Sequence, residues 1–295
     1  MEACPCAAAR VGVAVALSRM EAGLIMLRRL VQTFLLFAAV ILSSHAAGFS
    51  HAGWDALLKK HVVVLRGGQA TQVDYAGFKT DRVTLTQYLS STSGVGRADF
   101  DRWSKPEQLA FLINAYNAWT VELILSAYPD VSSIKDLGSF LQSPWKKRFI
   151  PLLGETRSLD DIEQGLIRGS GRYQEPRVHF AVNCASIGCP ALRPEAYVAE
   201  RLDAQLEDAT QKFLSDRSRN RPEDDALKVS SIFKWYRGDF EQGWRGASSL
   251  GGFLALYREA LGLPAETANR LAAGKMHIDF LPYDWRLNAS SGKGG

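Results

Sequence analysis

The pattern of apolar and polar positions is clearest over residues 104–128, where it predicts one long helix. Ser104 and Glu107 fit an N-terminal capping box, and Pro106 lies in the first turn, where a missing N–H group costs little. Pro129 ends the helix, because the residue before a proline avoids helical geometry. Apolar side chains recur on nearly every side, which is typical of a helix buried at the centre of a domain.

Shorter apolar patterns flank this helix on both sides. They predict helices over 51–61, 81–90, 160–168, 194–215, 229–236, 249–261 and 265–272. They also predict a hairpin over 149–159, a buried strand over 177–183 and a last strand over 276–281, with a turn or short extended piece at 74–78 and a mobile polar loop at 217–225. In the helix of 160–168, Asp160 is the predicted N-cap and Glu163 the predicted capping-box residue. The predicted helices outnumber the predicted strands, which favours an α+β fold: a predominantly helical single domain around a central buried helix, with a small β-sheet.

The N-terminal region has the pattern of an export signal. A charged Arg28-Arg29 pair precedes an apolar run over 30–42, and small residues follow up to Ala47. The run is shorter than the ~20 residues of a membrane-spanning helix. We therefore predict a signal from Arg28 to about Ala47 and a periplasmic chain, with an uncleaved N-terminal membrane anchor as the alternative.

These patterns predict three regions: an N-terminal extension and signal peptide over 1–47, one domain over 48–288, and a disordered tail over 289–295. The extension before Arg28 is unusual for a signal peptide, so Met1, Met20 and Met26 all stay open as the true start.

Composition and charge exclude several classes of protein. Of the 295 residues, 46% are hydrophobic and 22% are charged, as in soluble globular proteins. The net charge is +4, and the densest basic run is only Lys146, Lys147 and Arg148, too few for a nucleic-acid surface. No phosphate loop, dinucleotide fingerprint or metalloprotease helix is present, so no cofactor is predicted. The expected partner is an unknown small molecule or peptide, with membrane contact only through the signal segment; the pattern predicts no oligomeric state.

Candidate chemistry concentrates in residues 179–190, where the predicted strand ends in a loop. Cys184 is a candidate thiolate nucleophile, which would need a base and oxyanion donors from loop N–H groups. His179 is the nearest histidine, but five extended residues span roughly 16 Å, so it reaches Cys184 only if the chain folds back. Otherwise the base comes from elsewhere, with His277 as the strand-like candidate.

The two cysteines of the predicted mature chain admit three interpretations. In an oxidising compartment Cys184 and Cys189 form a disulfide if the turn brings their Cα atoms to about 5.5 Å. The others are a catalytic or redox-active thiol and two inert buried thiols. A zinc site lacks both a Cys-x-x-Cys pair and a fourth ligand, so no metal is predicted.

Two amides occupy the apolar central helix. Asn114 and Asn117 lie one turn apart on one face. Because buried amides need partners, we expect them to bind backbone groups of a neighbouring loop. The functional alternative places them in one polar pocket with Cys184.

Several blocks of sequence resemble one known family. They are Phe111 to Ala118, Asp160 to Glu163, His179 to Ser186, Gly188 to Pro190, Ser231 to Tyr236 and Tyr283 to Asn288. In this order they resemble the domain of unknown function 547 family, over about residues 54–288. The family is common in exported bacterial proteins. The resemblance implies that His179, Asn183, Cys184, Ser186, Cys189 and Asn117 are signature positions, and it implies no activity. Members often carry histidine after the glutamate, but this chain has Gln164, so a role for that histidine does not transfer.

Two functional hypotheses follow. The first is a periplasmic binding or structural module with a polar pocket around Asn117 and Cys184, to which Asn114, Asn183, Ser186 and Cys189 contribute. The second is a thiol-dependent hydrolase or transferase with Cys184 as nucleophile and His179 as its base.

Overall fold

A buried central helix organises the fold, and the computed structural model describes it within residues 48–139 and 141–290. This helix, α5, spans Lys105–Leu125, and every residue from Gln108 to its end is buried except Glu122. The predicted capping box is present, since the Ser104 hydroxyl accepts from the Glu107 N–H group and the Glu107 carboxylate accepts from the Ser104 N–H group. The prediction of a central buried helix is confirmed.

The remaining elements are short and surround α5. The α-helices, in chain order, are α1 (Ala52–His61), α2 (Tyr75–Thr80), α3 (Arg82–Ser93), α4 (Arg97–Arg102), α5, α6 (Leu202–Ser215), α7 (Ile232–Trp235), α8 (Arg237–Phe240), α9 (Leu250–Leu256), α10 (Arg258–Leu261) and α11 (Ala265–Ala272). The 3-10 helices are Arg66–Gly68, Ile134–Leu137, Pro144–Lys146, Pro176–Phe180 and Ala199–Arg201, and Asp161–Arg168 is a π-helix. The strands are β1 (Val62–Leu65), β2 (Ala70–Val73), β3 (Ile150–Leu152), β4 (Glu155–Arg157), β5 (Arg221–Glu223), β6 (Ala226–Ser230) and β7 (His277–Leu281).

The strands form three small sheets. β1 pairs antiparallel with β2, β3 pairs antiparallel with β4, and β6 lies between antiparallel β5 and parallel β7. One apolar core surrounds α5, and a second surrounds Phe233 and Phe253 in the C-terminal helices. The fold is therefore a mostly helical α+β domain, as predicted. Within the described ranges no helix is long and apolar enough to cross a bilayer.

The predicted buried strand over 177–183 is wrong. Residues Pro176–Phe180 form a 3-10 helix, and the side chain of its N-cap residue, Glu175, accepts from the Arg177 N–H group. The Arg177 guanidinium is buried and forms ion pairs with Glu175, Asp203 and Glu207. A short apolar run does not distinguish a buried helical turn from a strand, and here the cap and the ion pairs favour the turn.

Other boundaries also differ from the pattern. Residues 74–78 are not a turn but the start of α2, where the Asp74 carboxylate accepts from the Gly77 N–H group at 2.8 Å. The segment 217–225, predicted as a loop, contains strand β5. The helix predicted over 229–236 is present but shorter, as α7, because its first two residues belong to β6, for which β7 provides a parallel partner from far along the chain. The helix predicted from residue 194 begins only at Leu202.

The structure describes only a small part of the two predicted terminal regions. Ala289 and Ser290, assigned to the tail, pair with Val73, so that prediction is wrong for these two residues. Residues 291–295, the extension and signal over 1–47, and the candidate starts lie outside the described residues.

Candidate functional site

A cavity of about 190 Å³ lies where α5, the π-helix, the 3-10 helix Pro176–Phe180 and the C-terminal segment meet. Its wall combines aromatic rings, acidic groups and sulfur. The lining residues are Tyr116, Ser143, Trp145, Asp160, Glu163, His179, Val182, Cys184, Cys189, Pro190, Ile232, Trp235, Tyr236, Tyr283 and Trp285.

A disulfide between Cys184 and Cys189 forms one wall, with Cα atoms 6.0 Å apart. The Cys184 N–H group donates to the Cys189 sulfur at 2.9 Å, and the Tyr283 hydroxyl lies 3.2 Å from each sulfur. Burial raises the pKa of Tyr283, so its hydroxyl stays protonated at neutral pH. The cross-link therefore fixes the loop between the two cysteines against a neutral tyrosine.

Buried amides hold the start of this loop. The Asn117 side chain donates to the Ala181 carbonyl at 3.0 Å and accepts from the Asn183 N–H group at 2.8 Å. The Asn183 side chain in turn accepts from Ala185 N–H at 2.9 Å and donates to the Pro190 carbonyl at 2.7 Å. Ala185 adopts a left-handed conformation, φ 62°, which the Asn183 contact helps to hold. The central helix thus sets the position of the cysteine loop through one residue, Asn117.

The C-terminal segment closes the other side of the loop. The Ile187 and Gly188 N–H groups donate to the Arg286 and Asp284 carbonyls, both at 2.8 Å. A Cβ atom at Gly188 would lie 2.9 Å from the Tyr283 ring, so only glycine allows this approach. The backbone pairing therefore places Tyr283 and its neighbour Trp285 in the cavity wall.

Glu163 supplies a buried carboxylate to the cavity, with only 5% of its surface exposed. The predicted capping role of Glu163 is wrong. Ser158 and Asp161 form the reciprocal cap instead, and Asp160, the predicted N-cap, makes no side-chain cap bond. Glu163 therefore has no capping role, and its carboxylate interacts with Tyr116 instead.

The acidic residues of the cavity raise the pKa values of neighbouring groups. Burial, and next the Glu163 charge, raise the pKa values of Tyr116 and Tyr236. Burial, and then the Glu163 charge, also raise the pKa of Asp160. Placing a second carboxylate beside Glu163 in a partly dry site is unfavourable unless a cation joins them.

His179 lies between the cavity and an ion pair. Its Nε2 atom is 2.7 Å from the Asp239 carboxylate, which also binds Arg168 through two contacts of 2.5 and 3.0 Å. The ring stacks on Tyr236, with centroids 4.0 Å apart. Burial alone would raise the pKa of Asp239, but the hydrogen bonds from His179 and Arg168 outweigh it and hold that pKa well below its usual range.

We expect Asp239→Asn to lower the free energy of unfolding at pH 7 by about 1–2 kcal/mol and to flatten its dependence on acid pH. The depressed pKa means that the Asp239 charge stabilises the fold above its unfolded pKa of about 3.9, and that this contribution disappears as pH falls toward the folded pKa. Urea unfolding from pH 7 to pH 3 measures both effects. Asp279→Asn is the control, because Asp279 also contacts a histidine, His277, at 3.2 Å but lies exposed. Equal acid dependence in wild type and Asp239→Asn would contradict the prediction.

Residues 100–214 match the family model described as Protein of unknown function, DUF547. Over this segment the chain is similar to the DUF547 family. The matched segment contributes Tyr116, Glu163, His179 and the disulfide, which is the polar half of the cavity. The aromatic residues Trp235, Tyr236, Tyr283 and Trp285 come from the chain after it. No curated protein and no solved structure matches the chain.

The site residues predicted from the sequence separate into two groups. Cys184, Cys189 and His179 line the cavity. The others named from sequence as binding residues, which are Asn114, Asn117, Asn183 and Ser186, are buried and are not among its lining residues. Asn114 binds both backbone groups of Tyr197, at 2.7 and 3.0 Å, in a different segment from the cysteine loop. The two asparagines thus hold two separate segments, as the interpretation of backbone anchoring predicts.

The disulfide bears directly on the proposed nucleophile. A thiolate at Cys184 requires this bond to be reduced first. His277, the alternative base, lies exposed on β7 beside Asp279. Among the residues that the structure describes, no group of three or more His, Cys, Asp or Glu side chains could hold a metal ion.

Local sequence patterns do not identify most of the residues that line the cavity. No local pattern marks the cavity residues Tyr116, Asp160, Trp235, Tyr283 and Trp285 as site residues, although each lies in a block that carries the family resemblance. Their aromatic and acidic character near the signature cysteines was the available signal. Asp239 lies outside those blocks, and only the three-dimensional contact with His179 reveals it.

Proposed function

We propose that this protein is an exported binding module whose cavity takes a small organic ligand. The observation that carries the proposal is the cavity itself: aromatic walls with a few converging polar groups, the composition typical of small-molecule sites. Its volume of about 190 Å³ is below the roughly 300 Å³ of pockets that take drug-sized molecules. The ligand is therefore smaller than a typical drug.

Rigid support of the cavity favours binding. The disulfide, the Asn117 contacts and the pairing of the C-terminal segment fix the wall from three sides. A site held in place before binding loses less conformational entropy when the ligand arrives. Such a cavity is suited to a ligand of fixed shape.

Export is supported by two independent features. The signal pattern from Arg28 to about Ala47 predicts passage across a membrane. A disulfide persists in an oxidising compartment and is rare in the cytosol. The same disulfide is why we propose binding, and not thiol-dependent hydrolysis or transfer at Cys184.

A thermal-shift screen tests the binding function. We expect at least one of four classes of small compound (amines, sugars, carboxylates and alcohols) to raise the melting temperature by about 5–10 °C at a hundred times its dissociation constant. Val182→Phe should remove the shift, because Val182 lines the cavity and a larger ring fills it.

Val83→Phe is the matched control, since Val83 is 72% exposed on α3. It should retain the full shift. If every class leaves the wild type unchanged, or if Val182→Phe shifts as much as wild type, the binding function is wrong.

A further inference from the structure

Two carboxylates contribute negative charge to the cavity lining, and the basic residues that act on them, Lys146 on Asp160 and Arg168 on Glu163, are not lining residues. Asp160 and Glu163 line the cavity, and no lysine or arginine is among the described lining residues. The one histidine, His179, is already paired with Asp239. An anionic ligand would therefore meet repulsion and no partner of opposite charge.

Another part of the lining is a cluster of aromatic rings around Trp285. Its ring stacks on Trp235 with centroids 5.6 Å apart, lies 4.4 Å from Tyr283, and meets Trp145 edge-on at 5.7 Å. The Lys135 ammonium lies 3.9 Å from the Trp285 ring centroid. Tryptophan faces attract cations through their quadrupole, and Lys135 already occupies one face of Trp285 in this way, which leaves the rings of Trp145 and Trp235 for a ligand.

We propose that the ligand is a small organic ammonium ion, held between the tryptophan cluster and the carboxylates of Glu163 and Asp160. This inference rests on the proposed binding function. The aromatic rings favour an alkylated ammonium, whose methyl groups bury against them while its charge meets the ring faces.

Two other classes of ligand, neutral apolar molecules and sugars, would leave polar groups unsatisfied. A neutral apolar ligand would remove water from Asp160 and Glu163 without replacing it. A sugar needs many hydrogen-bond partners, whereas Glu163 already interacts with Tyr116 and Tyr236. Burial and then the Glu163 charge raise the pKa of Asp160, because the opposing charge of Lys146, which is not a lining residue, does not offset them.

Calorimetry with choline and its neutral isostere, 3,3-dimethyl-1-butanol, tests the charge at constant shape. With the full chain we expect choline to bind at least tenfold more tightly than the alcohol. Glucose is the third probe and represents the sugar class. Equal or weaker binding of choline, or no choline binding by the wild type, overturns the inference.

Variants that remove one carboxylate test whether choline binds in this cavity. Glu163→Gln and Asp160→Asn should each weaken choline binding at least fivefold and leave the alcohol unchanged, and Trp235→Leu should weaken choline binding through the rings. Because Glu163 is buried, Asp160→Asn, on a partly exposed residue, keeps the test valid if Glu163→Gln fails to fold. Asp279→Asn, an exposed carboxylate on β7, is the charge-matched control and should bind as wild type.

The outcomes separate the two proposals. Binding of the alcohol or glucose that Val182→Phe abolishes, without preference for choline, leaves the binding function intact and refutes the ammonium ligand. Choline binding that persists in both Asp160→Asn and Val182→Phe places the cation elsewhere and also refutes it.

Discussion

Asn117→Ala is expected to lower the free energy of unfolding by about 3–5 kcal/mol, because two buried backbone groups each lose a partner worth roughly 1–3 kcal/mol and a void remains. The groups are the Ala181 carbonyl and the Asn183 N–H group. Asn117 is 2% exposed, so water does not readily replace the amide. Urea unfolding at neutral pH measures the loss.

Asn114→Ala is the matched control on the same helix. Asn114 makes the same pair of contacts, but with Tyr197. Both variants should lose similar stability, whereas local hydrogen exchange should separate them. We expect faster exchange over 183–190 only in Asn117→Ala, and over 196–198 only in Asn114→Ala. If both variants loosen the same segment, Asn117 does not specifically support the cavity wall.

The central helix could be predicted from the sequence because its signals are local. Ser104, Glu107, Pro106 and the dense apolar run all lie within one continuous segment. The anchoring role of Asn114 and Asn117 could also be predicted, because a buried amide always needs partners. The identity of those partners could not, since they lie more than sixty residues away in the chain.

The cysteine loop shows where local patterns fail. Residues 177–183 look like a strand, yet Arg177 binds carboxylates from α6 and its own N-terminal turn, and a 3-10 helix forms. This compact turn brings His179 and the disulfide to one cavity, which an extended strand would not do. Strand β6 was missed for the same reason, because its partner β7 is some fifty residues distant.

The aromatic half of the site depends on long-range pairing. Trp285 and Tyr283 reach the cavity only because residues 284–288 pair with the cysteine loop. Asn288 secures this end, since its side chain accepts from the Tyr75 hydroxyl at 2.7 Å and donates to Asn183 at 3.4 Å. The sequence places these residues in order, and the tertiary hydrogen bonds bring them together.

The state of the two cysteines should decide between binding and thiol chemistry. We expect Cys184 and Cys189 to resist iodoacetamide in natively purified protein and to label fully after reduction and unfolding. Peptide mass spectrometry distinguishes them from Cys4 and Cys6. Replacing both with alanine should lower the free energy of unfolding by about 2 kcal/mol, the loop-closure value for so short a loop.

Reduction of the wild type provides the comparison for that double variant. Both treatments remove the same cross-link, so their losses of stability should be similar. A larger loss in the alanine variant would show that the sulfur atoms also contribute through packing against Tyr283, which lies 3.2 Å from each. Rapid labelling of Cys184 alone in the native protein would contradict the disulfide. It would restore Cys184 as a nucleophile, with His179 in the same cavity as the candidate base and Asp239, bound to His179 Nε2, as the carboxylate that orients it.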